Sequence, residues 1–213
     1  MEVFSIEYAL LAMQSALLRE VTPELRAVVV DLDKDEQILR VRFYYDGEAS
    51  EKMIDLWDCA ISEGSADLGP EFLLEAQIER LDYPQKIPPR GYYAYLRKES
   101  DSSNHKDGLC RKVKITEIST GYALLAAQHA LLGVVTPELR AVVVDFDKEE
   151  PLLYIRFYYD GEVPEKLIGL WQSVIKEASA DFGSNCRLDG GVERADYPKT
   201  FPFRGRYAYF RKE

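Results

Sequence analysis

The sequence predicts an α+β protein made of two tandem copies of an αββαββ domain, each a four-stranded antiparallel sheet with two helices on one face. Three observations carry that prediction. Residues 22–31, TPELRAVVVD, recur unchanged at 136–145, a shift of 114 residues. The same shift aligns 8–99 with 122–213 without a gap, with 57 identities in 92 positions. Within each copy the hydrophobic spacing alternates between helical and strand-like stretches in the order helix, strand, strand, twice over. A repeat of about 95 residues is the size of a small domain, well above the roughly 20–45 residues of a stacking unit. The expected domains are 1–99 and 115–213, joined by a polar flexible linker at 100–114 that spans roughly 20 Å.

Each element has a local cause. Ser5 can cap a first helix whose Leu10, Leu11, Leu17 and Leu18 recur at helical spacing. Its 8–18 run is apolar nearly all round, which predicts burial, and Thr22-Pro23 ends it. Residues 25–32 are β-branched and predict a strand, followed by a turn at 33–36. Residues 38–45 alternate, with Leu39, Val41, Phe43 and Tyr45 on one face and Arg40, Arg42 and Tyr44 on the other. Asp46-Gly47 ends that strand. Ser50, replaced by Pro164 in the second copy, opens a helix over 51–66 with Met53, Leu56, Trp57, Ala60 and Ile61 on one side. That side is the core side, so Trp57 and Trp171 read as core. Two further strands, near 72–81 and 92–97, flank the proline-rich loop 82–90. Two hairpins and two helices then predict the antiparallel sheet with one covered face.

The uncovered face is the candidate partner surface. Continued alternation puts Ala94 and Leu96 under the helices and Tyr93, Tyr95 and Arg97 outside, beside Arg40, Arg42, Tyr44, Glu75 and Glu79. Tyrosine and arginine are enriched at protein interfaces. The expected binding residues are Arg42, Tyr44, Tyr93 and Tyr95, with Arg156, Tyr158, Tyr207 and Tyr209 as their counterparts. The 82–91 loop adds Tyr83 and Arg90, and Tyr197 and Arg204, as anchors held by prolines; the same loop also reads as a rigid connection into the sheet.

Composition limits the function. With 46% hydrophobic, 12% aromatic and 30% charged residues, the 213-residue chain is too apolar for disorder. No apolar run approaches the roughly 18 residues of a membrane span, and Glu2 and Glu7 stand where a secretory signal carries Lys or Arg. The expectation is a cytoplasmic protein with no membrane partner. Cys59, Cys110 and Cys186 lack any CxxC spacing, which argues against a disulfide framework or zinc cage; Cys59 and Cys186 read as small core residues and Cys110 as a linker thiol. The net charge of −10 is uneven: −9 in 1–99, +2 in 100–114 and −3 in 115–213. Such acidity repels nucleic acid and attracts basic proteins.

No catalytic constellation emerges. His105 lies in the linker, and His129 aligns with Ser15, so neither recurs. The acidic run from Asp31 starts like a calcium loop but has Glu36 where the loop needs glycine and Arg42 where it needs glutamate. Asp46/Glu48 and Glu79/Asp82 could serve as acid–base pairs, but nothing sets the two members apart. No phosphate-binding, zinc-protease or nucleophile-elbow motif is present. The expectation is a non-enzyme with no catalytic residue, metal or cofactor.

The stretches ALLAAQHALLGVVTPELRAVVVDFD, RFYYDGE and RADYP…YFRKE resemble small bacterial immunity proteins of polymorphic and contact-dependent toxin systems. The resemblance covers each copy almost end to end and implies binding and blocking of a cognate toxin domain, often a basic nuclease. It carries over no site residue, and the tandem form departs from the usual single domain. The alternative is a tandem scaffold whose two domains pack on each other as an intrachain pseudo-dimer.

Overall fold

The computed structural model describes residues 5–66, 72–88, 90–99, 119–180, 182–183, 186–202 and 204–213. The expected linker at 100–114, with His105 and Cys110, lies outside the described residues. The chain divides into two compact units. The first holds α1 (Ile6–Ala16), β1 (Leu25–Asp33), β2 (Ile38–Tyr45), α2 (Glu51–Ala66), β3 (Leu73–Arg80) and β4 (Tyr92–Leu96). The second repeats the order as α3 (Thr120–Leu131), β5 (Leu139–Asp147), β6 (Leu152–Tyr159), α4 (Glu165–Ala180), β7 (Arg187–Arg194) and β8 (Arg206–Phe210). The α+β class and the αββαββ order match the sequence reading. Ser5 and Ser119 accept hydrogen bonds from the Tyr8 and Tyr122 N–H groups, and Ser50 from that of Met53, capping α1, α3 and α2.

The sheet is mixed, which corrects the expected antiparallel one. Its order is β3-β2-β1-β4, repeated as β7-β6-β5-β8. Strand β1 is antiparallel to both β2 and β4, but β3 runs parallel to β2 in full register from Ile38 against Leu73 to Tyr45 against Arg80. The stretch from β2 to β3 contains the 16-residue α2, long enough for a crossover connection, and a crossover delivers a parallel strand. Strands β3 and β4 therefore lie at opposite edges and form no hairpin.

The alternation of β2 survives intact. Leu39, Val41 and Phe43 are at most 1% exposed, and the fully buried Trp57 of α2 meets the rings of Phe43 and Tyr45 at 6.4 and 5.4 Å. Helices α1 and α2 pack together at Met13 and Gly64, where an added Cβ would come within 2.7 Å of the Met13 methyl. The second copy has Ala127 and Ala178 at these two places, both buried.

The alternation of β4 does not survive. A register shift falls between the β1 residues Val28 and Val29, which oppose Tyr95 and Tyr93. Opposed residues share a face, so Tyr95 joins Val28 and Phe43 under the helices while Tyr93 and Leu96 point to the other side. A bulge adds one residue and so reverses the facing of everything beyond it. Tyr209 and Tyr207 are split in the same way by the shift between Val142 and Val143.

The second face is not open at this end. Ile87 in the proline-rich loop is 4% exposed. Its counterpart Phe201 stacks on Tyr158 at 4.4 Å and meets Tyr207 and Phe210 edge-on at 6.4 and 6.0 Å. The loop thus lays an apolar side chain over the sheet.

Gly91 closes the loop into β4. Its φ is +77°, and an added Cβ would lie 2.6 Å from the Val30 carbonyl oxygen; Gly205 repeats this at +84° and 2.3 Å from Val144. Here the clash is with backbone and the backbone region is left-handed, so Gly91→Ala is expected to cost about 2–4 kcal/mol. Urea unfolding of the full chain, with Trp57 as reporter in a Trp171→Phe background, checks it; an unchanged midpoint contradicts the close approach.

Candidate functional site

Two strands and the proline loop build a groove of about 730 Å³ on the second face of the first copy. Arg42 and Tyr44 come from β2, Gln77 and Glu79 from its parallel neighbour β3, and Pro88 and Arg90 from the loop. The parallel register places Arg42 against Gln77 and Tyr44 against Glu79. Of the twelve residues expected to bind, Arg42, Tyr44 and Arg90 meet here. The structure does not bring the others to this groove.

Several of the expected anchors are buried, and this corrects the picture of an uncovered tyrosine face. Tyr44 and Tyr158 are 4% and 2% exposed beneath the loop, and Tyr93, Tyr95 and Tyr209 are each 7% exposed. Burial raises the Tyr44 hydroxyl above the ordinary tyrosine value, and those of Tyr158 and Tyr209 well above it. Tyr95 and Tyr209 belong to the helix-side core because of the bulge. Tyr207 is half-buried and stacks on Phe210 at 4.8 Å. Tyr83 is half-buried under Arg26, and only Tyr197 of the set is a largely exposed ring, at 61%. Arg90 and Arg204 are exposed. Cys59 is also exposed and Cys186 half-buried, so neither is the core residue expected.

The loop is held by an arginine that the sequence reading passed over. Arg26, in the apolar run of β1, is 1% exposed. Its guanidinium donates to both carboxylate oxygens of Glu99, at 2.5 and 3.0 Å, to the Leu81 carbonyl and to the Gln85 carbonyl at 3.0 Å. One side chain thereby ties the strand, the end of the copy and both sides of the turn at Tyr83-Pro84. Arg140 is 2% exposed and donates to the Ala195 carbonyl and to that of Lys199 at 2.9 Å, with the Tyr197 and Phe201 rings 5.7 and 5.3 Å away. The only sequence signal was a charged residue inside an otherwise apolar strand, present in both copies.

Of the carboxylates weighed as acid–base pairs, Asp82 and Asp46 hold chain segments together. Asp82 accepts from Gly47 N–H at 2.8 Å and from Arg80 Nε at 2.9 Å, which joins the β2–α2 turn to the loop. Asp46 pairs with Arg97 at 2.9 Å. The hydrogen bond from Arg80, then that from Gly47, holds Asp82 below the ordinary aspartate value; Arg194 and Gly161 do the same for Asp196, and Arg211 for Asp160. These folded values lie below the unfolded one of about 3.9. Their stabilisation is therefore complete above about pH 4 and is lost as pH falls through the folded values. A urea midpoint that declines below pH 4, with a shallower decline in the Asp82→Asn, Asp196→Asn double variant, is the expected result. An identical decline in that variant contradicts it.

The second copy arranges the same groove residues differently. Arg156 Nη2 lies 2.6 Å from Asp189 and its Nε 3.0 Å from Glu193, while Nη1 donates to the Asp189 carbonyl at 3.0 Å. Arg204 sits 5.0 Å over the Tyr154 ring and 3.6 Å from Asp145. Among the described residues no group of three or more His, Cys, Asp or Glu is placed to hold a metal, and no helix is long and apolar enough to cross a membrane.

A family model described as MafI2 immunity protein matches residues 7–99 and again 121–213. No curated protein matches the chain. Among solved structures, the periplasmic domain of the type III secretion inner membrane protein PrgH from S. typhimurium is 13% identical, covering 80% of this chain and 95% of its own at a TM-score of 0.25. The C-terminal domain of CdsD, the structural protein of the type III secretion system of Chlamydia trachomatis, is 12% identical, covering 92% and 100% at 0.24. Likeness at that level carries no argument.

Proposed function

Because the chain belongs to the MafI2 immunity protein family, as a tandem duplication with one match per copy, we propose that it binds a basic, nuclease-like toxin domain and blocks it without catalysis. The family match carries this reading: an immunity protein acts on a toxin protein, and it needs shape, anchors and a field rather than a reactive group. The further choice of a basic target rests on charge. We propose also that 1–99 and 115–213 fold as separate domains, that the first makes the main contact, and that the protein acts in the cytoplasm.

The charge difference between copies has a location that supports this. The exposed side of α2 carries Glu51, Asp55, Asp58 and Glu63. In α4 the matching positions are Glu165, Gly169, Gln172 and Glu177, with Lys176 replacing Ser62. Helix α2 is thus the acidic one, at a surface where field lines reach solvent and steer a basic partner. The Asp55→Lys, Asp58→Lys, Glu63→Lys triple variant is expected to lower the association rate with the toxin about tenfold at low salt and leave dissociation nearly unchanged. An unchanged association rate contradicts steering.

The reading is tested by capture from the native host on the full chain with a salt step, followed by assay of the captured protein. A basic protein that cleaves nucleic acid and is inhibited at one-to-one stoichiometry is the expected outcome. A partner that is acidic, or that stays active when bound, overturns the basic-toxin reading.

A further inference from the structure

We propose that the groove of the first copy is a carboxylate-binding notch that receives an Asp or Glu side chain of the partner protein, whereas the matching notch of the second copy is shut by its own ion pairs. The partner being a protein rests on the immunity reading; the anion site rests on geometry alone. Nη1 of Arg42 is buried and makes no hydrogen bond, a costly state for a charged donor. It lines the groove with Arg90, which is exposed at the rim. Its strand neighbour on the same face, Arg40, is already paired with Glu75 at 2.9 Å and Asp33 at 3.7 Å.

The second copy shows what satisfies this arginine when nothing is bound. Arg156 spans Asp189 and Glu193 across Gly191, where a Cβ would lie 3.2–3.3 Å from the guanidinium, and residue 154 is Tyr, so no second arginine of that strand competes for Asp189. The first copy has Gln77 at that position, in register with Arg42. There Arg40 already holds Glu75, the counterpart of Asp189, and Arg42 Nη1 is left buried beside the groove without a hydrogen bond. The differences at 77/191 and 40/154 between duplicated copies separate an open notch from a closed one.

The chemistry selects the ligand. Arg42, Arg90 and the groove's own Glu79 sum to one positive charge, which a single carboxylate neutralises and a phosphate dianion overshoots beside Glu79. Gln77, Glu79 and Arg90 are exposed, so the notch opens along edge strand β3 to a side chain carried on another protein. A basic toxin can present one acidic residue here, since net charge governs the approach while a local pair fixes register.

The test follows the arginine Nε–H signals of the full chain by NMR during titration with the peptide acetyl-Gly-Glu-Gly-amide, its Gln counterpart, sodium acetate and inorganic phosphate. The expected result is a saturable shift of Arg42 with the Glu peptide only. It should weaken at least tenfold in Arg42→Gln, in the exposed Arg90→Gln and in the Arg40→Tyr, Gln77→Gly double variant, and persist in Arg156→Gln. No saturable shift, tighter binding of phosphate, or equal loss in Arg156→Gln overturns the notch. Tighter binding of free acetate than of the Glu peptide overturns the protein source. Toxin inhibition by the wild-type chain is read separately: inhibition with no notch binding removes the notch alone, and no inhibition removes the immunity reading alone.

Discussion

Arg26→Ala is expected to destabilise the first copy by about 3–5 kcal/mol, the largest effect of any single charged residue in it. The arginine is 1% exposed, and the Glu99 side chain it pairs with is 3% exposed. Removing the cation leaves the buried carboxylate without its hydrogen-bonded partner, with Arg97 3.7 Å away, and strips the Leu81 and Gln85 carbonyls of a donor. Urea unfolding of the full chain, read by Trp57 in a Trp171→Phe background, should show a lower midpoint with an unchanged slope. Arg26→Ala with Glu99→Ala should recover part of the loss, because the stranded charge is gone. A single variant within about 0.5 kcal/mol of wild type would show that the pair contributes no more than a surface one. Because the same side chain holds the Tyr83-Pro84 turn, loop displacement should also weaken toxin binding before the fold is lost.

Trp57→Ala is expected to cost a similar 3–5 kcal/mol, a large share of the roughly 5–15 kcal/mol that holds a domain together. Trp57 is fully buried against Phe43 and Tyr45, and its Nε1 has no hydrogen-bond partner, so the loss is one of packing. Each copy holds one tryptophan, which makes the pair a dissecting tool. In Trp57→Ala the remaining Trp171 reports the second copy, whose transition should not move if the two fold separately, while far-UV dichroism should gain an earlier phase. Toxin capture should fail in Trp57→Ala and survive in Trp171→Ala. The reverse pattern would assign the contact to the second copy, and a shifted Trp171 transition would contradict separate folding.

The candidate site was partly legible. Arg42, Tyr44 and Arg90 are together in the groove, as a face plus a loop implied. Tyr95 was misread because a period-two pattern has no memory of an inserted residue: one bulge sends it into the helix-side core, while Tyr93 keeps the expected face but is buried there. Glu79 was placed on this face, but Gln77 was missed and the pairing of both with Arg42 and Tyr44 was not legible, because strand patterns are the same whether the strand returns as a hairpin or arrives by a crossover. Arg26 was missed because its partner Glu99 lies 73 residues away.

By itself the sequence determined the duplication, the order and type of the elements, the capping serines, the two faces of β2 and β6 and the core tryptophans. All of these are written in spacings of a few residues, where side-chain direction follows the local backbone period. The partner of each strand, the bulge, the loop laid over the sheet and the difference between an open notch at Arg42 and a closed one at Arg156 were decided only by the tertiary structure. Each depends on which residues distant in the chain compete for one volume or one charge.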